Sequence, residues 1–329
     1  MYKGFYNLRL NPFEITPDPS FLFSTSRHNE ALASLYYGVR ARKGFVVLTG
    51  EVGTGKTMLV RCVLELLRRT GVAFAYVFNP SLSALEFIRY IAGDFGLPVS
   101  GKAKDELVLS LSAFLVDRHQ RKLSTLLVVD EAHHLSPALL EEVRLLTNLE
   151  TTQQKLLQIV LAGQPELDDM LDSFELRQIK QRIALRCHLE PLNLDETRGY
   201  IQRRLQIAGA TPEIMIFSEE ATSAIFRHSN GFPRLINTIC ENALLSGYAR
   251  RAAVIPPEVV EEVAQDLRLG VVATRGEKKD VGSLSDKEQE KNELLRAVKT
   301  LLELHDYLQE MKSTESKEPT EISGRTYRP

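Results

Sequence analysis

Residues 50–57 read Gly50-Glu51-Val52-Gly53-Thr54-Gly55-Lys56-Thr57, which matches the pattern G-x-x-x-x-G-K-[ST] at every fixed position. An apolar run at residues 45–49 precedes the motif, and a helical pattern that begins near Met58 follows it. Glycines allow backbone N–H groups to converge on phosphate oxygens at the start of a helix. The motif and its strand-to-helix context therefore predict a nucleotide-phosphate site formed by residues 50–58.

Two pairs of side chains are expected to bind a nucleotide and to hydrolyse it. Lys56 is expected to reach the β- and γ-phosphates of ATP, and the Thr57 hydroxyl is expected to bind Mg²⁺. An apolar run at residues 126–129 ends in Asp130 and Glu131. Acidic side chains at the carboxyl end of a buried strand lie in the crevice where open α/β sheets bind ligands. We therefore expect Asp130 to hold the same Mg²⁺ and Glu131 to orient and polarise the attacking water.

Short apolar runs alternate with amphipathic stretches between residues 43 and 190, which predicts an α/β domain with a parallel sheet and helices on both faces. The predicted strands are 45–49, 74–78, 126–129, 156–162 and 186–189. The predicted helices between them are 56–69, 84–95, 105–119 and 137–149. Ser83, with Glu86 three residues later, and Ser136, before Pro137, are expected to cap two of these helices.

The pattern differs on either side of this domain. Residues 1–42 are rich in aromatic residues and proline turns, which indicates an ordered loop followed by a helix over 28–39. Residues 191–269 predict a separate, all-helical domain. Its predicted helices are 195–208, which an aspartate is expected to cap, 218–228, 234–251 and 257–267. Residues 270–329 predict a linker, one amphipathic helix over 286–311 and a disordered, charged tail.

Composition excludes several classes of protein. The chain has 329 residues with 41 Lys and Arg against 43 Asp and Glu, a formal net charge of -2, so it is not a globally basic nucleic-acid coat. Cys62, Cys187 and Cys240 lie too far apart for a zinc or disulfide pattern. No secretory signal and no apolar run of membrane-spanning length is present. These features predict a cytoplasmic protein without direct membrane insertion, which partners could hold at the inner membrane.

The phosphate loop, the strand that ends in Asp-Glu, the helical domain and several late arginines together resemble the AAA+ ATPases. Within that group, residues 1–267 resemble the general secretion pathway protein A family. The motifs that carry this resemblance are Asn11-Pro12-Phe13, Pro17-Asp18-Pro19, His28…Ala31-Leu32…Leu35, Gly163-Gln164-Pro165-Glu166-Leu167 and Gly231-Phe232-Pro233-Arg234-Leu235-Ile236-Asn237. The resemblance implies a P-loop NTPase fold with a helical lid at 191–269 and with residues 1–42 beside the adenine. It does not extend to the membrane and cell-wall-binding regions of that family.

The resemblance also implies roles for three further residues. Gln164 stands at the sensor-1 position, where most AAA+ proteins have Asn and an amide contacts the γ-phosphate or the attacking water. Arg234 resembles sensor 2, a lid arginine that reaches the γ-phosphate. Arg182 resembles the arginine finger, which acts on the ATP of a neighbouring subunit. Arg177, Lys180 and Arg186 compete for that last role. A homo-oligomer, either a ring or a filament, follows from this resemblance.

Two functions remain open at this point. The first is an oligomeric motor or assembly ATPase of a bacterial secretion, exopolysaccharide or exosortase-linked system, with envelope or secretion-system proteins as partners. The second is a nucleotide-switched, DNA-binding ATPase of the transposition type. The overall acidity disfavours DNA binding, although residues 177–186 are locally basic. Asp130-Glu131-Ala132-His133 also spells a helicase box, but no second α/β repeat follows, so His133 and His134 are assigned to a turn before Ser136.

Overall fold

The computed structural model describes residues 1–78, 82–151, 154–211 and 215–269. Five strands form one sheet in the order β2-β3-β4-β1-β5, and every neighbouring pair is parallel. The strands are β1 (Phe45–Gly50), β2 (Ala73–Val77), β3 (Thr125–Val129), β4 (Gln158–Gly163) and β5 (Ile183–Leu189). The sequence predicted all five, but β4 begins two residues later than expected and β5 begins three residues earlier.

Twelve α-helices lie within the described residues. They are α1 (Tyr2–Phe5), α2 (Ser26–Arg40), α3 (Lys56–Arg68), α4 (Ala84–Asp94), α5 (Lys104–Gln120), α6 (Pro137–Leu146), α7 (Glu166–Leu171), α8 (Arg177–Lys180), α9 (Leu194–Ile207), α10 (Glu219–Ser229), α11 (Pro233–Ala249) and α12 (Pro257–Asp266). The Ser83 capping box and the Ser136 cap are confirmed. The predicted aspartate cap of α9 was wrong. Asn193 caps this helix, because its side chain accepts from the Glu196 N–H while Glu196 bonds back to Asn193.

Alternate residues of the strands pack against helices on opposite faces of the sheet. Val47 and Leu161 belong to a core that includes buried residues of α4, α5 and α6. On the other face, α2 packs so closely on Val46 that a Cβ at Gly38 would lie 2.5 Å from its Cγ2. Both faces are therefore covered, which explains why β1, β3 and β4 read as continuous apolar runs rather than alternating ones.

A second core joins the helical domain to the start of the chain. Tyr2, Tyr6 and Phe13 are buried in the cluster formed by α9 to α12. The sequence predicted an ordered segment here, but it gave no partner for these aromatic side chains. They hold residues 1–14 against the lid rather than leaving them as a loop on the α/β domain.

The strand order determines where the functional groups meet. Strands β3, β4 and β1 are neighbours, with Val129 opposite Leu161 and Thr49 opposite Gly163. Their carboxyl ends lead into residues 130–131, Gln164 and the phosphate loop, respectively. Within the described part of the chain, the helices are too short or too polar to span a membrane. The predicted helix over 286–311 and the predicted tail lie outside the described residues.

Candidate functional site

The phosphate loop connects β1 to α3 as the sequence predicted. Gly53 and Gly55 have φ of 83° and 102°, values that residues with a Cβ adopt only under strain. Lys56 opens α3, and its Nζ donates to the carbonyl oxygens of Gly50 at 2.7 Å and Glu51 at 3.0 Å. The loop thus wraps around the lysine and leaves the first N–H groups of α3 for an anion. Burial lowers the pKa of Lys56, although Glu131 and Asp130 oppose that shift.

Asp130 is the centre of a hydrogen-bonded group directly behind this loop. Its Oδ2 accepts from the Thr57 hydroxyl at 2.9 Å and from the Tyr76 hydroxyl at 2.6 Å. Its Oδ1 accepts from the Glu131 N–H at 3.0 Å. Thr57 and Asp130, the two predicted Mg²⁺ ligands, are therefore in contact, and an oxygen pair of this kind suits a hard cation. The sequence did not predict the contribution of Tyr76.

Glu131 follows β3 in a left-handed conformation with φ of 51°. Such a conformation costs free energy for a non-glycine residue and is often found at functional sites. Its Oε2 is buried and has no hydrogen-bond partner within the described residues. A carboxylate oxygen in that state can accept a hydrogen bond from a water molecule that enters with a substrate.

Gln164 does not contact Glu131 directly, because His133 lies between them. The Nδ1 of His133 is 3.5 Å from Glu131 Oε2 and 3.3 Å from the backbone N of Gln164. The Nε2 of His133 is 2.8 Å from the side-chain amide of Gln164. His133 belongs to a 3-10 turn, Ala132–His134, so its assignment to a turn is confirmed. The sequence did not predict that His133 lies between Glu131 and Gln164.

The lid reaches the phosphate loop at Arg234. Asn230 and Gly231 both have positive φ, 49° and 75°, and they turn the chain sharply into α11. The backbone N–H of Arg234 donates to the Gly53 carbonyl at 3.3 Å. A Cβ at Gly53 would lie 2.9 Å from the Arg234 Cβ, so glycine is required here for the contact with the lid. The exposed Arg234 guanidinium has no partner among the described residues.

A cavity of about 340 Å³ lies between the phosphate loop, the lid and the N-terminal segment, a size typical of small-molecule sites. Its wall includes residues 52–58, Glu131 and Arg234. Gly50, Glu51, Asp130, His133 and Gln164 are not lining residues of the cavity. Gly50 and Glu51 contact the wall residue Lys56, and Asp130 contacts the wall residue Thr57.

The end of the cavity away from Glu131 has a different chemical character. Residues that line the cavity and to which the sequence gave no individual role in the site are Glu14, Ile15, Thr16, Pro17, Phe21, Leu22, Phe23, His28, Tyr200, Arg204, Pro233 and Asn237. The Arg204 guanidinium is buried, stacks over the Phe21 ring at 4.7 Å and donates to the Tyr200 hydroxyl at 2.9 Å. The contact between Arg204 and Phe21 joins segments more than 180 residues apart, so no local pattern could have shown it.

Arg182 lies away from the cavity. Its guanidinium donates to Asn148 Oδ1 at 2.8 Å, to Thr147 Oγ1 and to the Arg144 carbonyl, all at the end of α6. Among its competitors, Arg186 pairs with Asp168 and Asp172, and Lys180 also pairs with Asp172. Arg177 instead stacks on Phe174 at 4.2 Å.

Known proteins share both the fold and the sequence. A family model described as an AAA domain matches residues 39–171. The general secretion pathway protein A of Aeromonas hydrophila is 47% identical over 252 residues, which cover 76% of this chain but 45% of that protein. The chain therefore spans less than half the length of this relative.

Solved structures agree on the architecture. Drosophila ORC bound to DNA matches with a TM-score of 0.63 at 18% identity, covering 82% of this chain and 66% of that one. The ADP form of Aeropyrum pernix ORC2 matches with a TM-score of 0.60 at 17% identity, covering 78% and 72%. The fold, the phosphate loop and the acidic strand end together define an AAA+ ATPase. Its sequence relates it to the general secretion pathway protein A, so the chain is an AAA+ ATPase of that type.

Proposed function

We propose that this protein binds ATP with Mg²⁺ and hydrolyses it to ADP and phosphate. The observation that carries the proposal is the convergence of Thr57, Asp130 and Glu131 beside the phosphate loop, with Thr57 Oγ1 and Asp130 Oδ2 2.9 Å apart. The buried Oε2 of Glu131 has no hydrogen-bond partner among the described residues, which supports a role toward water at the same place. Mg²⁺, when bound, would offset the negative charge of the β- and γ-phosphate oxygens.

The side chains of this chain have distinct tasks in such a reaction. The N–H groups at the start of α3 and the Lys56 ammonium bind the phosphates. Thr57 and Asp130 are the residues that would hold Mg²⁺. Glu131 accepts a hydrogen bond from the attacking water and so orients and polarises it. Arg234 lines the cavity and its backbone N–H donates to the Gly53 carbonyl, which supports a role in which its guanidinium binds the γ-phosphate and closes the lid.

At a finer level, we propose an oligomeric assembly ATPase in which a neighbouring subunit supplies one arginine from residues 177–186. The similarity to the general secretion pathway protein A supports a role in an envelope or export system. The DNA-binding alternative rested on the basic stretch at 177–186. Within that stretch, Arg186 and Lys180 are paired with acids and Arg182 is bound to α6, which reduces the charge available to a nucleic acid.

The experiment that tests the proposal compares two variants of the site with two matched surface variants. We expect Lys56→Ala to lose ATP binding, because it removes the phosphate cation. We expect Glu131→Gln to bind ATP normally and to hydrolyse it at least about 10²-fold more slowly, because only water activation is lost. Lys122→Ala and Glu65→Gln, on exposed positions, serve as controls for the same changes of charge.

Nucleotide affinity is measured by calorimetry and turnover by phosphate release. Turnover of Glu131→Gln equal to that of Glu65→Gln would contradict the catalytic assignment. Binding by Lys56→Ala equal to that by Lys122→Ala would contradict the phosphate site.

A further inference from the structure

His133 is the side chain that connects the two groups facing the attacking water. It is 7% exposed, and it lies against Glu131 on one side and Gln164 on the other. The charged or titratable groups that face it are Glu131, Glu166, Lys56 and the ring of His134, whose centroid is 4.0 Å away. Burial, followed by His134, lowers the pKa of His133 from its ordinary value of 6.5 although Glu131 and Glu166 oppose that shift, so the imidazole is neutral at neutral pH.

A neutral imidazole has one N–H donor and one acceptor nitrogen. The backbone N–H of Gln164 can only donate, and it points at His133 Nδ1 at 3.3 Å. Nδ1 must therefore be the acceptor, and the ring proton must be on Nε2. That Nε2 lies 2.8 Å from the side-chain nitrogen, Nε2, of Gln164.

This assignment determines which way the Gln164 amide faces. An Nε2–H cannot pair with the amide NH₂ group that lies beside it, since both are donors, so the Gln164 amide must be rotated by 180° to bring its oxygen next to the ring. The NH₂ group of Gln164 is then turned away from His133 and remains available as a donor. Because Nδ1 is already an acceptor, it offers no proton to Glu131 Oε2, which agrees with the absence of a hydrogen bond at that oxygen among the described residues.

We propose that His133 is a positioning residue that holds the Gln164 amide with its NH₂ end directed toward the γ-phosphate and the attacking water. This inference rests on the proposed sensor role of Gln164. It also explains how glutamine can replace asparagine at this position. The longer side chain is held at its oxygen by the imidazole, and the direction of its donor is therefore fixed.

The first test uses the protein without nucleotide. Long-range ¹H–¹⁵N spectra of ¹⁵N-histidine-labelled protein report the tautomer of each ring, and His133→Phe identifies the His133 signals. We expect the Nε2–H tautomer in the wild-type protein. The Nδ1–H tautomer, or rapid exchange between the two, would overturn the proposal whether or not the protein hydrolyses ATP.

The second test separates positioning from packing. His133→Phe should lower kcat about tenfold to a hundredfold and leave KM for ATP within about twofold, because binding does not depend on the amide. His133→Gln, which keeps a donor near the position of Nε2, should retain kcat within about threefold of wild type. His134→Gln, on the exposed neighbouring side chain, is the control for changes in the turn.

The double variant distinguishes a failure of this inference from a failure of the sensor role. If His133 acts through Gln164, His133→Phe combined with Gln164→Ala should be no slower than Gln164→Ala alone. Additive losses, or a normal kcat in His133→Phe while Gln164→Ala is slow, would overturn the role of His133 and leave the sensor intact. Unchanged kcat in Gln164→Ala would instead overturn the sensor assignment itself.

Discussion

The hydroxyl of Tyr76 donates to Asp130 Oδ2 at 2.6 Å, so a residue from the edge strand β2 reaches the proposed metal ligand that directly follows the neighbouring strand β3. The strand register brings Tyr76 and Asp130 together, because Val77 lies opposite Val129 and each of the two residues is one position from this pair. Desolvation and the adjacent Asp130 carboxylate raise the pKa of Tyr76, which keeps the phenol protonated as a donor. Tyr76 therefore restricts the orientation of Asp130.

Tyr76→Phe is expected to weaken the response to Mg²⁺ rather than the binding of nucleotide. Loss of a hydrogen bond to a charged group costs about 1.5–3 kcal/mol, part of which appears as misorientation of Asp130. The Mg²⁺ concentration for half-maximal ATPase activity should rise about three- to tenfold, while nucleotide affinity in EDTA stays unchanged. Tyr90→Phe is the control, since the Tyr90 ring packs on Phe78 at the surface. An identical Mg²⁺ titration for both variants would refute the role of Tyr76.

Arg204→Met is expected to destabilise the protein and to loosen the N-terminal segment. The buried guanidinium donates to the carbonyls of Pro12 and Glu14 and to the Tyr200 hydroxyl, so its loss leaves several buried acceptors unpaired. We expect a loss of about 2–4 kcal/mol in the free energy of unfolding. Chemical denaturation would measure it, with the exposed neighbour Arg203→Met as control. Equal stability of the two variants would show that Arg204 does not hold the segment.

Much of the fold could be predicted because its signals are local. The strand that enters the phosphate loop, the strand that ends at Asp130 and the caps at Ser83 and Ser136 all depend on residues within a few positions of each other. The boundaries of β5 were less predictable. Its residues alternate between partly buried and exposed, as at an edge, and Arg186 within the strand obscured its start at Ile183.

The part of the site that could not be predicted from the sequence depends on long-range contacts. His133 meets Gln164 across 31 residues, and Tyr76 meets Asp130 across 54. Arg204 meets Pro12 across 192 residues, a distance at which no helical or strand period applies. Local motifs predicted the residues that are proposed to bind phosphate, whereas the residues that orient them depend on the strand order and on the packing of the helical domain.

Acidification is expected to destabilise the protein through His28. Burial lowers the pKa of His28 below its ordinary value of 6.5 in the folded state, while Thr25 Oγ1 lies 2.8 Å from its Nδ1. As pH falls below about 6.5, the unfolded chain takes up the proton more readily than the folded one, so stability decreases. Between pH 7.5 and 5.5, the melting temperature should decrease less for His28→Gln than for the wild type. Equal slopes of melting temperature against pH for His28→Gln and the wild type would contradict the assignment.

The arginine that a neighbouring subunit supplies is expected to be Arg177 rather than Arg182. The guanidinium of Arg182 is occupied by Asn148, Thr147 and the Arg144 carbonyl within its own chain, and release would leave those acceptors unpaired. Arg177 has no carboxylate partner among the described residues. It stacks on Phe174, which is 80% exposed, so the two side chains project together from the surface next to α8.

Turnover per subunit should therefore rise with protein concentration in the wild type. Arg177→Ala should abolish that rise and leave nucleotide affinity within about threefold, because such an arginine acts mainly on the transition state. Arg182→Ala should keep the rise and lower the melting temperature instead. Mixing Arg177→Ala with Glu131→Gln should restore part of the activity, since some interfaces would then pair an intact Glu131 with an intact Arg177. If the mixture stays inactive while Arg182→Ala with Glu131→Gln recovers, Arg182 is the residue that acts across the interface.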